Sequence, residues 1–199
     1  MVFTNTEITE EHLDDRFCNL VTKLCEHENN EIVVNSALLE QYLRTNYPKY
    51  KFISSTTKCL LSPSDSKNEL DKDYFMVCLD YNLNHNFEFL KTIENKEKTE
   101  FLVNAICPAG CPYRKNHYRL NSIQHLNYGK LYLLNECKIT KNTLDTDSAR
   151  DRNNITPQEI YTTYAPMGFS NFKLEGRTLS DLEVLIGIVS YMVKPEYQL

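Results

Sequence analysis

"YFMVCLD", residues 74 to 80, runs through five consecutive apolar side chains, Phe75 to Leu79, and stops on Asp80. A strand with one face in water alternates apolar and polar residues. A strand that is apolar at every position is covered on both faces, as parallel strands between helices are. Outward from this run, short strand-like stretches alternate with helical patterns, which predicts parallel βα units. Towards the N-terminus these are Val2-Phe3-Thr4-Asn5, then Glu31 to Asn35, then Lys51 to Ser55. Between the first two, Thr9 reads as an N-cap with Glu10 and Glu11 in the first turn, and Leu13, Phe17, Leu20, Val21 and Leu24 share one helical face. Ser36 caps a helix through Leu38, Leu39, Tyr42 and Leu43 that Asn46 and Pro48 stop, and the polar residues 62 to 73 read as a loop.

Beyond Asp80 the chain continues as a helix from Phe87 to Ile93, a strand from Phe101 to Asn104 and a helix from Lys115 to Leu126. Residues 131 to 134 read as a strand and 140 to 154 as a loop. Thr156-Pro157-Gln158-Glu159 combines an N-cap, Pro at the first helical position and a reciprocating Glu. The last strand is Asn171 to Leu174. Ser180 and Glu183 then open a final helix with the stripe Leu182, Leu185, Ile186, Val189 and Val193. No repeat or linker interrupts the 199 residues, so one α/β domain is expected over residues 1 to 199.

Composition narrows the function classes. A formal charge of −5 gives no electrostatic reason to expect nucleic acid. Arg114-Lys115 can meet a phosphate locally, but a solvated face is the plainer reading. No apolar stretch approaches the ~20 residues that span a bilayer. Met1 is followed by no signal-peptide pattern, so a cytoplasmic location is expected. The seven cysteines are accordingly read as thiols or ligands, with Cys18, Cys25 and Cys78 as small core residues.

The strand ends carry the polar residues: Asn5, Asn35, Ser54 to Thr56, Asp80, Asn104 with Cys107, and Glu175 with Arg177. Such carboxyl ends form the reactive face of a (β/α) barrel, and an open doubly wound sheet obeys a similar rule. Turn preference accounts for any one of these residues; six together point to a polar face. Neither a G-x-G-x-x-G, a P-loop nor a G-x-S-x-G motif occurs. Cys107 and Cys111 are four residues apart in a turn stiffened by Pro108, Gly110 and Pro112. Two thiols at that spacing reach one metal, whereas zinc and iron–sulfur centres take three or four ligands. Cys137, Cys59 and His117 are the nearest candidates for the rest. On spacing alone, a structural turn and a metal site stand level.

Asn104-x2-Cys107-Pro108-x2-Cys111-Pro112-x-Arg114-x2-His117-Tyr118 and Gly168-Phe169-x2-Phe172-Lys173-x-Glu175-Gly176-Arg177 together resemble the peptidase U32-like, or collagenase-like protease, barrel superfamily, in particular its small bacterial and phage-borne branch. The resemblance implies a TIM-like (β/α) barrel with Cys107, Cys111 and Cys137 as ligands of a 4Fe–4S cluster or a single metal ion. Cluster-bearing relatives use four cysteines and take part in oxygen-independent hydroxylation of quinone precursors or of RNA. Here Cys59 or a non-protein ligand would be the fourth. On this reading Asp80, Glu175 and Arg177 are expected to line the substrate pocket, Glu175 moving a proton and Arg177 holding an anionic group unless the two simply pair on the barrel rim, with Asn104, Arg114 and His117 in substrate binding. About six βα units are visible where a closed barrel has eight strands. Two strands are therefore expected before Val2, and the chain is expected to be a fragment or partial barrel that pairs with itself or a partner chain. A scaffold that keeps the barrel without the chemistry is the alternative, and a U32-type peptidase the third reading.

Overall fold

The structure, a computed structural model, describes residues 1–127, 153–176, 180–193 and 197. Its centre is a six-stranded, all-parallel sheet in chain order: β1 Val2–Phe3, β2 Glu31–Val34, β3 Lys51–Ser54, β4 Met76–Cys78, β5 Thr99–Leu102 and β6 Asn171–Lys173. The register runs Val34 to Ser54, Ser54 to Val77, Cys78 to Glu100 and Leu102 to Lys173. Among the described residues β1 and β6 each pair on one side only, so the sheet has two edges. This α/β arrangement is compatible with part of a TIM-like fold.

The run at 75–79 sits in a central strand and is buried from Val77 to Leu79, whereas Phe75, before the strand begins, is 43% exposed. Val77 and Leu79 join the outer core with Ile32, Val34, Phe52, Phe101 and Val103, under α3 (Ala37–Asn46), α4 (Pro63–Leu70) and α5 (Phe87–Lys91). Cys78 points the other way and packs with Leu102, Tyr81 and Ala105 in a second cluster. Phe101 anchors the outer layer, with the rings of Tyr164 at 5.1 Å and Phe169 at 5.0 Å edge-on and Phe172 stacked at 5.9 Å. Aromatic pairs of this kind add about 0.5–1.5 kcal/mol each beyond their burial.

Several expectations change. Residues 62 to 73 contain a helix, not only a loop: Ser62 caps it by accepting from the Asp65 amide, and Pro63 occupies its first turn. That is the device also seen at Thr156-Pro157, where a capping box starts α7 (Pro157–Glu159), continued by a π-turn over Ile160–Tyr164. Residues 10 to 24 break into α1 (Glu10–Leu13) and α2 (Arg16–Leu24), because Asp15 caps a second start on the Cys18 amide. The apolar stripe of α2 faces out, with Phe17 73% and Leu24 76% exposed. Its inner face carries Asn19 and Thr22 instead. Asn19 Oδ1 accepts from the hydroxyls of Tyr42 (2.8 Å) and Tyr47 (2.7 Å), and the Thr22 carbonyl accepts from Tyr50 (2.6 Å). Three tyrosine hydroxyls that need partners decide which face turns in. Cys18 and Cys25 are exposed with it, whereas Cys78 is buried as expected. The last helix, α8 (Asp181–Met192), likewise exposes Leu182, Leu185, Ile186 and Met192. Residues 131–134, and 140–152 of the expected loop, lie outside the described residues. No helix among the described residues is long and apolar enough to cross a membrane.

Candidate functional site

One long helix, α6 (Arg114–Leu126), lies over the carboxyl ends of the strands and is fastened at both ends. At its start Arg114 donates to both carboxylate oxygens of Asp80, through Nη1 at 3.3 Å and through a closer Nη2 contact, and its guanidinium stacks 4.3 Å from the Tyr81 ring centre. Burial works against the charge of this guanidinium, but the bond to Asp80, together with the nearby Tyr81, Asp80 and Cys59 groups, outweighs it and raises the pKa. Asp80 Oδ1 also accepts from the Asn82 amide at 3.0 Å, capping the 3₁₀ turn Tyr81–Leu83. Eight residues into α6, Ser122 receives the Asn5 side chain on its carbonyl (3.1 Å) and the Thr6 amide on its hydroxyl (2.9 Å). The helix thus ties the end of β4 to the end of β1. Asp80 and Arg114, expected to meet substrate, meet each other, with exposures of 2% and 3%.

The cysteine-bearing turn after β5 is pinned from three sides. Asn104 donates to the Glu175 carbonyl (2.8 Å) and accepts from the Glu175 amide (2.6 Å), locking the ends of β5 and β6 together. The Gly110 amide donates to Asn82 Oδ1 at 2.7 Å, and the Asn153 side chain to the Cys107 carbonyl at 3.2 Å. Gly110 has a φ of +68°, and a Cβ there would have open space around it. Glycine is needed for the left-handed turn, not for room. Asn104 is therefore a positioning residue for Glu175, whose Oε2 also accepts from the Ile106 amide at 3.3 Å.

Between α6 and the inner sheet face lies a cleft of about 250 Å³. Val2 of β1 with Thr4 just beyond it, and Lys173 of β6 with Glu175 just beyond it, all line it, so the sheet curls until both edge strands face one space. Its deep wall holds Tyr81, Thr56, Cys107 and Tyr118. The hydroxyls of Tyr81 and Thr56 are buried and make no well-formed hydrogen bond among the described residues, although Cys107, Tyr118 and Arg114 lie close enough to the Tyr81 hydroxyl to act on it. Burial raises the Tyr81 and Tyr118 phenols, so both stay protonated. Burial also pushes the Cys107 thiol up against the opposing influence of Tyr81 and Arg114. Lys173 Nζ stands 3.5 Å from Glu100 Oε2, an inner-face ion pair between β5 and β6.

The expected site residues are distributed as follows. Glu175 and Cys107 line the cleft; Asp80, Asn104 and Arg114 support it; His117 lines neither this cleft nor the groove beside it. Cys137 and Arg177 lie outside the described residues. Tyr81, Thr56, Tyr118 and Lys173 were not singled out as site residues in the sequence, although each follows or lies in a motif already marked. Tyr81 directly follows the strand-end Asp80, and Lys173 is one residue inside the last strand on the parity of Glu175.

Among the described residues no three of His, Cys, Asp and Glu converge on a point that could hold a metal ion. Cys107 and Cys111 supply two thiols on one rigid turn, and Cys59 is near enough to Arg114 and Tyr118 for its charge to act on both. The described donors leave a four-ligand cluster incomplete, and no chemical step is derived through one. Comparison with family models, with curated proteins and with solved structures returns no match to this chain.

Proposed function

We propose that this protein is an enzyme-like (β/α)-barrel-type protein that takes a small polar molecule into the cleft at the carboxyl ends of its strands. The observation that carries this reading is the cleft itself, lined from both edges of the sheet, with the Tyr81 and Thr56 hydroxyls sealed just behind its wall and without a well-formed hydrogen bond among the described residues. Leaving a buried hydroxyl unpaired costs about 1–3 kcal/mol, a cost that a bound molecule offering polar atoms removes once the wall shifts to admit it. Tyr81 and Thr56 would bind and orient it, Lys173 would hold its negative charge, and Glu175 would move a proton. Cys107 stays a thiol near neutral pH and no histidine acts on it, which weighs against a cysteine-peptidase role. The resemblance of the Asn104–Tyr118 and Gly168–Arg177 motifs to the U32-like superfamily supports the same face as the working one.

In this reading Cys107, Cys111 and Cys137 are ligands of a metal ion or 4Fe–4S cluster, which when bound would supply electron transfer or Lewis acidity. Iron, sulfide and zinc in anaerobically purified protein test that part. Metal that falls in Cys107→Ala, Cys111→Ala and Cys137→Ala supports it; a metal-free wild type sinks the cluster and leaves the cleft as a binding site. For the cleft itself, a thermal-shift screen of small sugars, amides and amines should give hits that Tyr81→Phe and Thr56→Val weaken. Hits indifferent to both substitutions remove the reading.

A specific observation favours a partial barrel. The helices flanking the two open edges, α2 and α8, both expose apolar stripes, at Phe17, Leu20 and Leu24 and at Leu182, Leu185, Ile186 and Met192. Exposed patches at unpaired strand edges are association surfaces. Two further parallel βα units between β6 and β1 would cover both stripes and close an eight-stranded sheet. A monodisperse monomer by light scattering that binds no apolar dye would count against this.

A further inference from the structure

Beside the cleft runs a second, larger space of about 530 Å³, and its lining is of a different character. One wall is the exposed side of α6, with Lys115, Asn116 and Arg119; the other is built from the ends of β1 to β3, with Glu7, Asn35 and Lys58. Thr57 and Tyr118 line both spaces, so the groove and the cleft share a wall. Lys115 and Arg119 are four residues apart and stand over one another on the helix. Neither side chain has an ion pair among the described residues. Lys58 is spoken for: its ammonium reaches Glu69 at 2.6 Å and the Tyr74 hydroxyl at 2.8 Å. Glu7 is the one acid on the lining, and it accepts from the Thr6 hydroxyl at 3.1 Å.

Two cations without an ion pair among the described residues thus face one groove on a chain with a formal charge of −5. Lys115 also sits in the first turn of a 13-residue helix whose first turn carries no acid, where the helix field adds to its own, and Arg119 follows one turn later. Asn116 and the Asn35–Thr57 pair, whose side chains are 2.9 Å apart, bring neutral hydrogen-bonding groups to the same space.

We infer that this groove is an anion subsite: Lys115 and Arg119 hold a phosphate or carboxylate group of the same molecule whose other end enters the cleft. The inference deepens the cleft reading and rests on it for the identity of that other end, not for the anion contact. Arg119 offers a planar fork that engages two oxygens, Lys115 a point charge, and Asn116 and Asn35 directional bonds. A phosphate accepts more of these donors at once than a carboxylate, so phosphate is the tighter of the two.

The test is a titration of the full chain with inorganic phosphate and, separately, acetate, followed by amide and side-chain NMR at ionic strength held constant with chloride. Lys115 and Arg119 are exposed, so Lys115→Gln/Arg119→Gln alters charge without touching the core. Saturable shifts at Lys115, Asn116, Arg119 and Thr57, with phosphate affinity falling roughly tenfold or more in the double variant, are expected. Lys67→Gln, which removes an exposed cation away from the groove, should leave phosphate binding unchanged, which separates a located site from a general charge effect. Acetate binding tighter than phosphate would assign a carboxylate group and keep the subsite. Phosphate affinity unchanged in the double variant, or shifts that follow ionic strength and not the anion, would overturn it.

Discussion

Tyr81→Phe separates a binding hydroxyl from a structural one. The Tyr81 side chain is 2% exposed, its ring stacks on Arg114 at 4.3 Å, and its hydroxyl has no well-formed hydrogen bond among the described residues. The substitution keeps the ring and the stack and removes only the desolvated oxygen. An unpaired buried hydroxyl costs about 1–3 kcal/mol, and part of this is regained when it is replaced by hydrogen in the same shape. A gain of about 1 kcal/mol is therefore expected in the ligand-free protein, a rise in Tm of about 2–4 °C for a chain of this size. Urea unfolding should show a higher midpoint with an unchanged slope. In the same variant, any ligand found for the cleft should bind at least several-fold more weakly. More stable and less able to bind is the signature of a site kept at a cost in stability. Loss of 1 kcal/mol or more would refute the reasoning, because it would mean that the hydroxyl already has a partner within the folded chain.

Arg114→Met leaves the Asp80 carboxylate buried without its cation and should destabilise the protein by about 3–5 kcal/mol in urea unfolding, with α6 detaching from β4. The Asp80→Leu/Arg114→Met double variant should recover most of that loss. Glu69 is buried; burial pushes its carboxyl up, but bonds from Lys58, Lys72 and Ser54 outweigh this and hold it at about 2, against an ordinary 4.5. Its contribution, about 3 kcal/mol, is present above pH 4.5 and lost as pH falls towards 2. Glu69→Gln should flatten that stretch of the acid-stability profile, and an unchanged profile would exclude Glu69 as its source. Gly110→Ala should cost about 1 kcal/mol through its φ of +68° and loosen the Cys107–Cys111 turn, seen as faster hydrogen exchange at Cys111.

The parallel sheet was legible because its central strand is apolar on both faces, and the caps at Ser36, Thr156 and Ser180 sit where their chemistry puts them. Helix α4 was not, since its eight residues are mostly polar and its signal is the Ser62-Pro63 start alone. The orientation of α2 was hidden for a different reason. Periodicity identifies an apolar stripe but not whether a partner covers it, and the tyrosines that claim the other face come from residues 42 to 50. For the site, position at strand ends was readable and pairing was not. Asp80 and Arg114 are 34 residues apart, and only the folded chain reveals that they satisfy each other and leave the Tyr81 hydroxyl without a well-formed hydrogen bond among the described residues.

The central claim is that the cleft under α6 is where this protein binds its ligand. Val2, Val33, Leu102 and Leu174 place methyl groups along that cleft. A fragment screen read by methyl NMR on ¹³C-labelled wild type and Tyr81→Phe protein tests it most directly. Polar fragments should shift those four residues together and lose affinity in Tyr81→Phe. Fragments that gather elsewhere, or that shift these methyls equally in both proteins, would contradict the account.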